Sequence, residues 1–304
     1  MGVPRSAVLF LAVGLLAASQ SGNLVRLADA HPAVMAGYRL VLSALLLAPL
    51  AGPRLAAVAR LRGRELVLLV LAGAALAGHL VTWIAAVQHT TVANAAVFFA
   101  LNPVTTALCA HVFLRERLDR RLLAGVVVGF AGVAVLGGGD LRFGREHLVG
   151  DGLAVACAIL FTVYFLLGRR LRQALDNRVY VTVLYGVAGL SAFACGAVRQ
   201  APVHGFTART WLAFLLLALV PTMIGHTSFN HALRYLDAGR VSVLTLSEPL
   251  FAGAVAWAAW GEAVNARTVA GYVLVSAAVL VVLSSRPRQG GADRVDVASA
   301  SGRR

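Results

Sequence analysis

Proline and glutamate recur in this chain at one fixed distance. Pro103 and Glu116 are matched by Pro249 and Glu262, each pair 146 residues apart (249 − 103 and 262 − 116). The same offset carries Ala86 onto Ala232, Val97 onto Val243, Gly125 onto Gly271 and Gly22 onto Gly168, with no gap from about residue 7 to residue 285. Two copies of one unit, 7–139 and 149–285, follow from that register, and the junction between copies is where a site is expected.

The solvent for which the unit is built follows from its composition. A mean hydropathy of +0.80, with 59% hydrophobic and 13% charged residues, is not the profile of a soluble domain. The apolar residues form blocks of about 18 to 24, long enough at 1.5 Å per residue to cross a hydrocarbon core of roughly 30 Å. The pattern predicts spans at 7–27, 33–51, 66–87, 91–114, 122–139, 149–168, 179–198, 210–231, 241–260 and 268–285. The expected fold class is therefore an all-α integral membrane protein, with ten transmembrane helices as two inverted five-helix repeats. Residues 5–22 imitate a signal peptide, but the repeat assigns them to the first helix.

A net charge of +14 would suggest nucleic acid in a soluble protein. Its distribution argues for lipid instead. Every basic residue is an arginine; twenty of the 27 lie in alternate loops and the tail, six in the opposite loops, and Arg39 within a span. This positive-inside bias predicts that both termini are cytoplasmic. In the first copy the arginines crowd the loops after helices two and four. In the second they crowd 169–178 and 234–240, after that copy's first and third helices. The bias moves by one loop, as an odd number of crossings per copy requires. Inverted symmetry of this kind serves alternating access, in which the copies exchange shapes around a common cavity. An Arg/Ala/Val/Gly-rich chain without lysine also points to a GC-rich bacterial genome.

The first helix ends in Ser19-Gln20-Ser21-Gly22-Asn23, followed by Arg26, Pro32 and Arg39. The fourth span reads NPVTTALCAHVFLRER (102–117), and its second-copy counterpart reads SEPLFAGAVAWAAWGE (247–262). In these features the chain resembles the EamA-type transporters of the drug/metabolite transporter superfamily, over residues 7–285. The resemblance implies a bacterial inner-membrane carrier, an exporter of amino acids, other metabolites or toxic compounds. It also implies a cavity lined by helices 1–4 and 6–9, with 5 and 10 at the periphery. Span 122–139 agrees with the last point: it has no polar side chain and carries Gly125-x-x-x-Gly129, a pattern for packing against a neighbouring helix.

Glu248 is the leading site candidate. It falls near the bilayer midplane, where a carboxylate is costly and commonly functional, so it is expected to couple protons or hold a substrate cation; the alternative is a structural carboxylate paired with a basic group. Arg39 is expected to neutralise it, to snorkel outward, or to grip a substrate carboxylate. Asn102 is the counterpart of Glu248. Pro103 and Pro249, matched by the repeat, are expected as hinges. Gln20, His79, Trp83, Tyr164, Tyr185 and Asn230 complete the substrate-binding candidates, with Asn23, Asn94, His226 and His231 also in the expected cavity. Trp83 and Tyr164 could stack on an aromatic or cationic ligand. Each of these residues alone is more often a packing residue.

Asp151 is expected as a helix N-cap, and Glu116 and Glu262 as structural acids beside short turns. No metal site is expected, because His226 and His231, five apart, do not share a helix face. No cofactor is expected either, and no phosphate-binding GxxxxGK[ST] loop is present. Cys109, Cys157 and Cys195 read as small core residues, and 286–304 as a disordered cytoplasmic tail. The expected partners are a small-molecule substrate and membrane lipid, not nucleic acid; a homodimer is compatible with the sequence. Two rival readings stay open: a membrane-embedded lipid-processing enzyme, which would cluster His, Asp or Ser at one membrane face, and a non-transporting receptor or assembly factor.

Overall fold

A chain this apolar must satisfy its backbone hydrogen bonds internally, and α-helices do so within each segment. The computed structural model describes residues 4–90, 92–138, 144–145, 147–260 and 264–284. Glu262 and the tail 286–304 lie outside them. Among the described residues every regular element is helical: α1 Arg5–Ser19, α2 Ser21–Val25, α3 Pro32–Ala51, α4 Gly63–His89, α5 Val92–Phe99, α6 Asn102–Leu114, α7 Arg120–Gly137, α8 Leu148–Ala174, α9 Asn177–Val198, α10 Ala208–Leu217, α11 Thr227–Ala232, α12 Ala238–Thr245, α13 Glu248–Trp260 and α14 Ala266–Leu283. A 3₁₀ segment, Gly52–Arg60, follows α3, and a π-helical segment, Ala218–His226, joins α10 to α11.

Nine stretches among the described residues are long and apolar enough to cross a bilayer. The remaining expected span, 241–260, is divided into α12 and α13 by a break at Leu246–Ser247. Large apolar side chains such as Leu9, Val127, Leu190 and Leu280 are exposed on the outer surface, where hydrocarbon tails are their natural solvent. The chain is a multi-pass all-α membrane protein.

The 146-residue offset reappears in the helix bounds. Shifted by 146, α5, α6 and α7 become α12, α13 and α14 residue for residue at both ends. Asp119 caps α7 by accepting from the Leu122 amide at 2.7 Å, and Asn265, its counterpart, caps α14 by accepting from Thr268 at 3.0 Å. Packing follows the same rule. Helix α3 packs on α9 and α7 on α14, each against its own counterpart, while α6 packs on α12, the counterpart of α5, α4 on α8, and α1 on the π segment and α11.

Small residues permit the closest of these approaches. A Cβ on Gly125 would sit 2.3 Å from Val282 Cγ2, one on Gly129 2.5 Å from Leu246, and one on Gly132 2.9 Å from the Val275 backbone nitrogen. The GxxxG pattern thus seats α14, at a distance backbones reach only without side chains. Of the cysteines, only Cys157 is a fully buried core residue, and Cys195 is exposed.

Gly132→Leu should lower stability by about 1–3 kcal/mol, because backbone rather than a flexible side chain blocks the new atoms. Gly152→Ala on α8, where no atom lies within 4 Å, should be neutral. Melting of the detergent-solubilised variants checks this, and equal melting temperatures would contradict it.

Candidate functional site

Four irregularities interrupt the helices, and they converge. Helix α1 breaks at Gln20, α5 gives way to α6 at Ala100–Leu101, the π segment runs from Ala218 to His226, and α12 ends at Leu246–Ser247. Ser19, Ser21, Ala100, His226 and Leu246, one or two from each irregularity, line a single cavity of about 250 Å³. Non-helical backbone at membrane depth is tolerated where it faces protein or a wet cavity, so the breaks and the cavity have one cause. Ligand pockets start at about 300 Å³, which makes this a space for a small metabolite.

Six rings stand in the cavity wall, Trp83, Phe99, Phe161, Phe229, His79 and His226, among smaller apolar residues. Trp83 lies against Phe99 (centroids 5.6 Å), and His79 sits between Phe161 (4.7 Å) and His226 (6.0 Å). One carboxylate, Glu248, and one arginine, Arg26, are among the lining residues. The break at Leu246–Ser247 makes Glu248 the first residue of α13, where the positive end of the helix dipole favours a carboxylate. Among the described residues no hydrogen bond or ion pair ends on it, which leaves it free for a ligand cation or a proton.

Arg39 lies behind the wall rather than in it. Fully buried, it donates from Nε to Thr222 Oγ1 at 2.6 Å and from Nη1 to Ser21 Oγ at 3.0 Å, while Nη2 has no hydrogen-bond partner among the described residues. The ion pair anticipated with Glu248 is not formed: the two hydroxyls take the guanidinium, and the charges act on each other only at a distance. Arg39 thereby ties the broken first helix, through Ser21, to the π segment, through Thr222.

Away from the cavity lining, the halves are joined by ion pairs. Arg169 meets Glu116 at 3.0 Å and Asp237 at 3.8 Å; Arg240 meets Asp119 at 2.7 Å; and Glu116 accepts from the Ala238 amide at 3.0 Å. Burial and the nearby Asp237 charge hold the Glu116 carboxyl above the usual carboxylate range, offset in part by Arg169. Glu116 therefore bonds across the halves rather than within its own turn.

Two helix sets thus share a cavity with rings in its wall and are joined elsewhere by ion pairs, an arrangement compatible with a carrier. The family model described as the EamA-like transporter family matches residues 5–138 and again 148–284. The chain belongs to the EamA-like transporter family. A "Probable terminal-alkyne amino-acid exporter" of Streptantibioticus cattleyicolor is 28% identical over 86% of this chain and 90% of its own. An "Aromatic amino acid exporter" of Ancylobacter novellus is 28% identical over 52% of this chain and 55% of its own, and an "Uncharacterized transporter" of Archaeoglobus fulgidus 28% over 66% and 70%. A crystal structure of a protein at 21% identity superposes with a TM-score of 0.76 over 92% of this chain and 96% of that one, which establishes a shared fold. As a family member the chain is a transporter of small molecules, and no relative here carries an enzyme's name.

Within this EamA-like transporter the sequence candidates divide. Glu248, His79 and Trp83 line the cavity, as does Pro249. Gln20 sits at the break in the first helix, bonded to Ser19 Oγ (2.8 Å) and to Asn23 (3.0 Å), which places it beside the lining. Asn102 is fully buried elsewhere, accepting from Thr106 (2.8 Å) and Ser242 (3.1 Å), a clasp between α6 and α12. Tyr185 bonds to the Thr222 carbonyl and Thr227, and the Asn230 amide donates to the His226 carbonyl; both support the π segment from behind. Tyr164 packs on the outer side of His226 (6.2 Å). Pro103 and Pro249 occupy the first turns of α6 and α13, just past the breaks, where a missing amide hydrogen costs least.

Asp151 is no cap. From the first turn of α8 it accepts from Thr90 (2.9 Å) and Asn94 (3.1 Å), because a helix that begins at Leu148 leaves its side chain facing that corner. His231 faces Phe10 and Tyr235. Phe99, Phe161 and Phe229 also line the cavity, and apolar rings in an apolar span carry no local signal; Arg26, which follows the first-helix pattern, lines it as well.

Thr222→Val should lower stability by about 1.5–3 kcal/mol, because it leaves Arg39 Nε buried without an acceptor. Thr222→Ser should restore most of the loss. Thermal unfolding of both in detergent checks this, and equal melting of the two variants would contradict it.

Proposed function

We propose that the chain is a secondary active exporter of the bacterial inner membrane, moving amino acids or related amphiphiles by alternating access. Its units are the inverted five-helix repeats 7–139 and 149–285, and both termini are cytoplasmic. The observation that carries the reading is the 250 Å³ cavity between the halves, walled in part by rings and holding the carboxylate of Glu248, on which no hydrogen bond or ion pair ends among the described residues. Aromatic faces suit an apolar or aromatic side chain, and Glu248 suits an ammonium group. The names of the Streptantibioticus and Ancylobacter relatives agree with such a substrate.

In the proposed orientation Arg26, Trp83 and Val87 lie toward the outer face, and the Glu116–Arg169–Asp237 and Asp119–Arg240 pairs lie toward the cytoplasm. The conformation is then outward-facing, with the cytoplasmic end latched by charge. Release of the latch and closure of the outer mouth would give the inward-facing state, with rearrangement at the breaks before Pro103 and Pro249. The arginines of the inner loops would meet anionic headgroups.

Glu248 is the proposed coupling residue. In reconstituted vesicles Glu248→Gln should abolish accumulation driven by a pH gradient while sparing amino-acid exchange. Full activity of that variant with an intact pH response would remove Glu248 from coupling. Failure of the unmodified protein to move any member of an amino-acid and drug panel would remove the transport reading itself.

A further inference from the structure

The two histidines of the cavity differ in what their ring nitrogens meet. His79 Nδ1 lies 3.3 Å from the Cys157 carbonyl oxygen, with the Cys157 sulfur at 3.1 Å. A carbonyl oxygen can only accept, whereas the thiol is the weaker partner in either sense, so the carbonyl contact favours hydrogen on Nδ1 of His79. An uncharged imidazole has one N–H, which leaves His79 Nε2 as a bare lone pair. No hydrogen bond from the described residues reaches that Nε2, and it is not among the solvent-inaccessible unpaired nitrogens, so its open side is the cavity that His79 lines.

His226 is the reverse case. Its Nδ1 is buried with no hydrogen-bond partner among the described residues, packed where Phe161, Tyr164 and Phe229 surround the ring. A donor is costlier to strand in a dry setting than a lone pair, so the hydrogen belongs on Nε2, the nitrogen left open to the cavity. The position of the ring is itself unusual. His226 is the last residue of the π segment, a register that re-aims side chains at functional sites.

We propose that His79 and His226, 6.0 Å apart between ring centroids, are held in opposite tautomers and form an acceptor–donor pair that reads the zwitterionic head of an amino acid. The substrate ammonium donates to His79 Nε2 and to Glu248, and its carboxylate accepts from His226 Nε2–H. The side chain then lies along Trp83 and Phe99. The inference rests on the amino-acid export reading and adds the orientation and the specificity-determining residues. It also explains why two imidazoles are worth keeping in an apolar wall: each satisfies or shelters one nitrogen in the protein and offers the other to the ligand.

Two readouts test it. Nitrogen-15 NMR of histidine-labelled protein in lipid reports directly which nitrogen of each ring bears hydrogen. Hydrogen on Nδ1 of His79 and Nε2 of His226 is expected, and the same tautomer in both overturns the proposal whether or not amino acids are the substrate. The second readout is binding of an aromatic amino acid, its methyl ester and its des-amino acid to purified variants. His226→Phe should weaken the amino acid about tenfold and the ester little, since the ester lacks the anionic acceptor. His79→Asn, which keeps a donor for the Cys157 carbonyl and removes the distal lone pair, should weaken the amino acid about tenfold and the des-amino acid little. Equal losses for all three ligands, or none, overturn the pair. If the unmodified protein binds none of them while the tautomers are as expected, it is the amino-acid reading that fails, and with it the zwitterion assignment.

Discussion

The bilayer withholds water from the backbone, and most of this structure follows from that one constraint. Where the chain faces hydrocarbon it is regular helix and apolar side chain. Four breaks in the helical bonding converge on the cavity: beside Gln20, at Ala100–Leu101, at the His226 end of the π segment and at Leu246–Ser247. The hydroxyls of Ser19, Ser21 and Thr245 and the carboxylate of Glu248 are thus gathered in the same place. The polarity a substrate needs is a by-product of where irregular backbone can be put.

Buried charge is handled by distribution rather than by pairing. Arg39 has no carboxylate partner; hydroxyls from Ser21 and Thr222 hold it, and its field extends to Glu248, His79 and His226. A direct Arg39–Glu248 pair would neutralise both groups and close off the acid. Keeping them apart leaves Glu248 available. Direct ion pairs are found in the Glu116–Arg169–Asp237 and Asp119–Arg240 network, where every member except the buried Arg240 is partly exposed, which lowers the cost of breaking them.

How much of this was legible in the residues depended on range. The 146-residue register, read from prolines and small residues, returned in the helix ends of α5–α7 and α12–α14, because local propensity and capping repeat with sequence. Gly125-x-x-x-Gly129 announced a close helix contact, but not that α14 would be the partner. The π segment left no trace beyond Pro221, since an extra residue per turn is stabilised by tertiary bonds such as Tyr185 to Thr222. Nor could spacing say that Asn102 would be spent on Ser242 while its counterpart Glu248 stayed open, or that His79 and His226, 147 positions apart (226 − 79), would share a wall. Those facts live in packing between the halves.

The central claim is that the halves pivot about this cavity, opening one end as the other shuts. The most direct test is double electron–electron resonance on two label pairs, Arg117 with Arg234 across the ion-pair latch and Arg26 with Val264 at the mouth, with and without substrate under a pH gradient. The account predicts that the first distance lengthens as the second shortens within one population of molecules. Distances that stay fixed, or that change together in the same direction, would contradict it.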